Sequence, residues 1–134
     1  MKVEDTVTIV VEKDGRFLLI RKARGRADAG DWAFPGGHVD EGESLLDAMK
    51  RETMEEIGDG AEISEHEPFF SFMHDVPKSS KFHKHMCHAF KGRLTGEIKP
   101  GDDAEAFAWF TKDEILNNPK VQDFVKTIIK KMFP

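Results

Sequence analysis

Three glutamates near the middle of the chain have the spacing of a metal-binding helix face. Glu52, Glu55 and Glu56 occupy positions i, i+3 and i+4, which an α-helix turns to one side. Three carboxylates this close repel one another unless a cation lies among them. Oxygen ligands suit a hard ion such as Mg²⁺ or Mn²⁺, which shares its coordination with substrate phosphates. The alternative is an ordinary solvated helix face, the commoner origin of a glutamate triplet.

A helix with clear boundaries is predicted to carry these glutamates. Ser44 is a typical N-cap, and Gly58 is a typical residue at a helix end. The side chains predicted to face the core lie on another arc, about 120° from the glutamates. They are Leu46, Met49, Thr53 and Ile57.

The residues before this helix, Phe34-Pro35-Gly36-Gly37, predict a turn with special backbone geometry. Such a turn would let backbone groups approach the glutamates. The helix N-terminus that follows favours anions.

Alternating and β-branched residues predict strands at 3–11 and 17–21, joined by an Asp14-Gly15 turn. Residues 22–31 are predicted to be a loop. Three or four strands are expected between about 61 and 110, most clearly at 69–74, 83–91 and 106–110. After a break at Asn117-Asn118-Pro119, an apolar stripe predicts a final amphipathic helix. The stripe is interpreted as core packing, with a homodimer surface as the alternative.

The glutamates belong to a longer pattern with fixed spacing. It reads Gly37, five residues, Glu43, seven residues, Arg51-Glu52, two residues, Glu55-Glu56, one residue and Gly58. These residues match every fixed position of the Nudix box, G-x5-E-x7-R-E-U-x-E-E-x-G-U, where U is a bulky aliphatic residue. At background usage the chance of such a match is on the order of 10⁻⁸ per window. The chain therefore resembles the Nudix hydrolase family, and it departs only at the U positions, Thr53 and Asp59.

The resemblance implies an α/β fold: an α/β/α sandwich around a central mixed β-sheet, formed by residues 1–134 as a single domain. It also implies Mg²⁺-dependent hydrolysis of a pyrophosphate bond in a nucleoside diphosphate linked to a moiety X, with Mn²⁺ as the alternative ion. The implied metal ligands are Glu52, Glu55, Glu56 and the Gly37 carbonyl. Either Glu52 or Glu55 would be the general base, and Arg51 and Glu43 would form a supporting pair.

Residues outside the box are candidates for further roles. The family often adds a fourth carboxylate, and Glu105 is the candidate, ahead of Glu97, Asp102 and Asp103; a plain surface acid is an equal alternative. Arg21 is a candidate to hold a substrate phosphate. Phe34 and Phe72 are candidates to stack a base, as are Trp32 and Trp109, although such aromatics are more often core.

Composition limits the remaining possibilities. A net charge of −5 argues against binding of long nucleic acids. No apolar run has membrane-spanning length. The single cysteine, Cys87, favours a reducing, cytoplasmic compartment. A zinc site at His74, His83, His85 and His88 is the minor alternative for the histidines, because Cys87 would point opposite His88 on a strand.

The resemblance also leads to a substrate class, because several substrate types of the family can be eliminated. Many ADP-ribose hydrolases of the family carry a proline about fifteen residues past the box glycine, where this chain has Met-His-Asp at positions 73–75. Diadenosine-polyphosphate hydrolases tend to carry a tyrosine there, and this chain contains no tyrosine. The best match is then the MutT-like type, which converts a (d)NTP into a nucleoside monophosphate and pyrophosphate. ADP-ribose or another nucleotide-sugar is the alternative substrate. A catalytically silent domain that senses a nucleotide or binds a partner is the alternative of another class.

Overall fold

The computed structural model describes residues 2–23, 29–76 and 83–134, and these contain eight strands and three helices. The elements are β1 (Lys2–Lys13), β2 (Arg16–Lys22), β3 (Trp32–Ala33), β4 (Gly36–His38), α1 (Leu45–Ile57), β5 (Ala61–Ile63), β6 (Phe70–Asp75), β7 (His83–Leu94), β8 (Ala104–Thr111), α2 (Lys112–Asn117) and α3 (Asp123–Met132). All five predicted strands and both predicted helices are present. Residues 24–28 of the predicted loop lie outside the described residues.

The strands form a mixed sheet with β1 near its centre. β1 pairs in parallel with β7, and antiparallel with β2 and β4. β5 and β6 pair antiparallel with β7, whereas β3 and β8 pair antiparallel with β2. A parallel pair needs a long crossover, and α1 lies within the one that connects β1 to β7. The Asp14-Gly15 turn between β1 and β2 has φ values of 52° and 77°, as a tight hairpin turn requires.

Helices cover both faces of this sheet. Successive side chains of a strand point to opposite faces, so Leu18 packs in the core beneath α1 and Leu19 packs in the core beneath α2 and α3. The predicted α/β/α sandwich is therefore confirmed. In α3, Val125, Ile128 and Ile129 are all 0% exposed. The predicted core role of the C-terminal stripe is confirmed, and the suggested homodimer would need another surface.

Helix α1 begins and ends where the sequence predicted. The Ser44 hydroxyl accepts a hydrogen bond from the Asp47 N–H (3.0 Å), and Gly58 ends the helix with φ 73°. Met49 and Thr53 are buried in the predicted apolar arc. The Thr53 hydroxyl donates to the Met49 carbonyl over 2.7 Å. This bond satisfies a polar group at a position where the box has an aliphatic residue.

The expected special turn at Gly36-Gly37 is wrong. Both residues belong to the extended strand β4, opposite Thr8 and Val7 of β1, and neither has a positive φ. Glycine is required there by close approach instead. A Cβ on Gly36 would lie 2.1 Å from the Val7 carbonyl oxygen.

None of the helices in the described ranges is long and apolar enough to cross a membrane.

Candidate active site

Arg51 connects the charged residues of the box. Its Nε and Nη2 donate to the two carboxylate oxygens of Glu43 over 2.8 and 2.9 Å, a bidentate pair. Its Nη1 donates to Glu52 over 2.8 Å and lies 3.3 Å from the nearer Glu55 oxygen. Nη2 also donates to the His38 carbonyl over 3.0 Å, which ties α1 to β4. The guanidinium thus contacts the carboxylates of Glu43, Glu52 and Glu55 at once.

Protonation equilibria in this network are shifted in opposite directions. Hydrogen bonds from the Arg51 side chain and the Asp40 backbone N–H lower the pKa of Glu43 from 4.5 to about 2. The same contacts with Glu43 and Glu52 raise the pKa of Arg51. Burial raises the pKa of Glu52, against the opposing effect of Arg51. Glu43 is therefore a fixed negative charge, whereas Glu52 holds its charge less readily.

Replacement of Glu43 is expected to change how the free energy of unfolding depends on pH in the acid range. Because the folded pKa lies below 4.5, ionised Glu43 stabilises the fold above that pH, and the contribution is lost as pH falls towards about 2. Glu43→Gln should therefore be less stable than wild type at pH 7, and the difference should shrink steadily as pH falls from about 4.5 to about 2. Urea denaturation across this range measures it. Equal pH dependence in Glu43→Gln and in the exposed control Glu41→Gln would contradict the assignment.

The three box glutamates differ in exposure. Glu56 is 6% exposed, whereas the side chains of Glu52 and Glu55 are 12% and 56% exposed. Gly37 lies directly against Glu52, because an added Cβ would be 2.5 Å from its carboxylate carbon. The donor atoms of all three side chains are carboxylate oxygens, and oxygen ligands suit a hard divalent ion.

Arg21 and Glu105, two candidates from outside the box, form an ion pair. The Glu105 carboxylate lies 3.2 Å from Arg21 Nε, at a register shift between β2 and β8. The Arg21 guanidinium also lies over the Trp32 ring, 5.7 Å from its centroid. The loop before β8 packs on α1, since the Gly101 N–H donates to the Glu56 carbonyl over 2.9 Å. β8 therefore starts beside the end of the helix that carries the box.

Two of the four candidate base-stacking rings, Phe34 and Phe72, lie in different environments. Phe34 is 1% exposed and belongs to the core beneath α3, so no face of its ring is open to a base. Phe34 is therefore a packing residue, which corrects its candidate role. Phe72 is half-buried and stacks on Phe70, with centroids 4.9 Å apart. The ring centroid of His74 lies 5.5 Å from that of Phe72. The His74 ring in turn stacks on Phe124 of α3, with centroids 5.6 Å apart.

The histidines of β7 divide between the two faces of the sheet, as the alternation predicted. His88 lies between Asp5 and Ser71, with ring nitrogens 3.0 and 2.8 Å from their oxygens. His83 and His85 lie on the other face, with ring centroids 5.6 Å apart. Burial lowers the pKa of His85 to about 4. His88 is thus excluded from any cluster with His83 and His85.

Several contacts of the site were not foreseen from the sequence. Asp40 approaches Arg51 Nη2 within 3.5 Å, and the His38 carbonyl accepts from the same nitrogen. Both residues follow Gly37 closely in the chain. Because both residues lie close to Gly37, the first residue of the box, the sequence could have suggested them. Their contact with Arg51, however, depends on the path of the chain from β4 to α1.

Comparison with known proteins links this arrangement to one family. The profile of the NUDIX domain matches residues 2–132. The CTP pyrophosphohydrolase of Escherichia coli K12 is 31% identical over 122 residues, which cover 89% of this chain and 84% of that protein. The nucleoside triphosphatase NudI of Escherichia coli O139:H28 is 26% identical over 125 residues, covering 87% and 88% of the two chains.

A solved structure supports the same fold. The MutT protein from Methanosarcina mazei Go1 superposes with a TM-score of 0.82, covering 97% of this chain and 92% of that one. At 22% identity, this likeness concerns the fold alone.

Proposed function

The chain belongs to the NUDIX domain family and is a pyrophosphohydrolase, and from that premise we propose that it converts a (d)NTP into a nucleoside monophosphate and pyrophosphate with Mg²⁺. The observation that carries the proposal is the pair of carboxylates Glu52 and Glu55 on α1, which Arg51 holds, with Gly37 directly against Glu52. Oxygen-only ligands favour Mg²⁺ or Mn²⁺ over softer ions.

In this proposal the residues of the box have different roles in the reaction. Glu52, Glu55, Glu56 and the Gly37 carbonyl would hold the ion. When bound, Mg²⁺ supplies positive charge next to the substrate phosphates. Glu52 or Glu55 accepts the proton of the attacking water. The water oxygen bonds to phosphorus as the bond to the departing pyrophosphate oxygen breaks, and pyrophosphate leaves with that electron pair.

Arg51 and Glu43 act as positioning residues in this mechanism. Their bidentate pair holds the guanidinium so that its Nη1 is aimed at Glu52 and Glu55. A carboxylate held in advance needs no reorganisation when charge develops, which is the main source of electrostatic catalysis.

Support for a triphosphate substrate comes from two sources. The relatives named above are a CTP pyrophosphohydrolase and a nucleoside triphosphatase. Arg21, held by Glu105 at 3.2 Å, remains the proposed phosphate contact, and Phe72 the proposed base contact. Glu105 itself remains the proposed fourth carboxylate, since β8 begins next to α1. ADP-ribose is the competing substrate, and a silent nucleotide-binding domain is the competing class.

The test is a substrate screen with the purified chain and Mg²⁺, in which chromatography resolves the products. We expect canonical or oxidised (d)NTPs to give monophosphate and pyrophosphate. Turnover of ADP-ribose alone would keep the reaction type and reject the triphosphate. Tight binding of nucleotides without turnover in Mg²⁺ or Mn²⁺ would favour the silent domain.

A further inference from the structure

A second cluster of metal-ligating side chains lies on the face of the sheet that α3 covers. Strand register places its members: Glu4 of β1 is opposite His85 of β7, and His74 of β6 is opposite the same His85. Two residues along β7, Cys87 is buried in the core beneath α3, which identifies the face. His83 shares this face because it lies two residues before His85.

Glu4 is the centre of this cluster. Its Oε1 lies 3.5 Å from His83 Nε2, and its Oε2 lies 3.8 Å from His38 Nε2. One ligand atom from each of Glu4, His83 and His85 can be chosen so that all three lie within 4.8 Å of one another. The His85 ring centroid is 5.0 Å from that of His38 and 5.5 Å from that of His74. Four imidazoles and a carboxylate therefore converge on one small region.

We propose that Glu4, His83 and His85 form a binding site for a divalent transition metal of the Zn²⁺ class, separate from the Mg²⁺ site of the box. Imidazole nitrogens with one carboxylate suit Zn²⁺ and its neighbours, whereas Mg²⁺ prefers oxygen alone. Zn–N and Zn–O bonds near 2.0–2.1 Å place tetrahedral ligand atoms about 3.4 Å apart. The 3.5 Å between His83 and Glu4 already meets this spacing.

The burial of the ligands is consistent with a site that is built rather than accidental. The side chains of His83 and Glu4 are 18% and 31% exposed, so each is held partly within the protein and still reachable by an ion. All three ligands lie on the paired strands β1 and β7, which join over ten residue pairs. Ligands on rigid strands are positioned more precisely than ligands on loops.

The two metal sites lie on opposite sides of β4. A Cβ added at Gly37 would point towards Glu52 on α1. The next residue, His38, points the other way, and its ring lies close to Glu4 and His85. The backbone carbonyl of His38 still accepts from Arg51. Occupancy of one site therefore does not require the ligands of the other, and the two can be removed separately.

Three protein ligands leave at least one coordination position open. The row of rings formed by Phe72, His74 and Phe124 adjoins the cluster through the contact of His74 with His85. A water or a donor atom of a small molecule in this row would complete the coordination.

The test measures Zn²⁺ binding by the metal-free full chain in millimolar Mg²⁺, by competition with a chromophoric chelator. The variants are His83→Ala, His85→Ala and Glu4→Gln. The matched control is His88→Ala, a histidine of the same strand on the opposite face. Glu56→Gln controls for Zn²⁺ at the box. Circular dichroism and thermal melts verify that each variant folds.

We expect wild type to bind one Zn²⁺ that Mg²⁺ does not displace, with affinity reduced at least tenfold in each of the three ligand variants. His88→Ala and Glu56→Gln should bind as wild type does. Co²⁺ substitution should give a spectrum of nitrogen and oxygen coordination that the ligand variants lose.

Wild-type affinity in the ligand variants would overturn the proposal, as would loss of the tight site in Glu56→Gln alone. If His85→Ala fails to fold, Glu4→Gln and His83→Ala decide the matter, because both residues are partly exposed.

Discussion

Glu56→Gln is expected to lower kcat by about 10²–10³-fold or more while the fold survives. Glu56 is 6% exposed, and its carboxylate is one of the three proposed to hold the metal ion. Glutamine has nearly the same shape, so the packing around residue 56 is kept, but one negatively charged oxygen ligand is lost. The variant should therefore still unfold in one cooperative transition in urea, although turnover is lost.

Steady-state kinetics with the best substrate of the screen, together with urea denaturation, measures both effects. Mg²⁺ or Mn²⁺ affinity should fall in parallel with kcat. Glu41→Gln, an exposed acid of the loop before α1, removes one charge nearby and should keep wild-type rates. A Glu56→Gln enzyme that works within a few-fold of wild type would reject the metal-ligand role of this residue.

Gly37→Ala is expected to impair activity far more than stability. The backbone at residue 37 is extended, so alanine is compatible with its conformation. Its Cβ, however, would lie 2.5 Å from the carboxylate of Glu52. The flexible end of that side chain can move aside, which spares the fold but displaces the carboxylate from its contact with Arg51. A displacement of about 1 Å at a catalytic group can cost 10²-fold in rate.

Two other glycines, Gly96 and Gly36, give matched controls for this substitution. Gly96→Ala places a Cβ with its nearest heavy atom 4.0 Å away and should be neutral in both assays. Gly36→Ala meets the Val7 carbonyl oxygen at 2.1 Å, a backbone atom that cannot yield, and should lower stability. Wild-type kcat in Gly37→Ala would show that Glu52 does not need the position seen here.

The sequence determined the parts of the molecule that depend on local periodicity. The caps of α1, its buried arc and the shared face of Glu52, Glu55 and Glu56 all follow from helix geometry within one segment. The strands and the opposite faces of His83 and His88 follow from the two-residue period of a strand. The fixed spacing of the box then linked these elements to a family and its sandwich fold.

Tertiary structure alone decided which of these elements meet. Arg51 reaches the His38 carbonyl only because β4 pairs with β1 and leads into α1. Phe34 is core because α3 packs over it, and no local pattern distinguishes such a ring from an exposed one. The cluster around Glu4 requires four strands from distant parts of the chain in one register. Strand pairing is long-range, so its register is fixed by the packing of the whole sheet and not by neighbours in sequence.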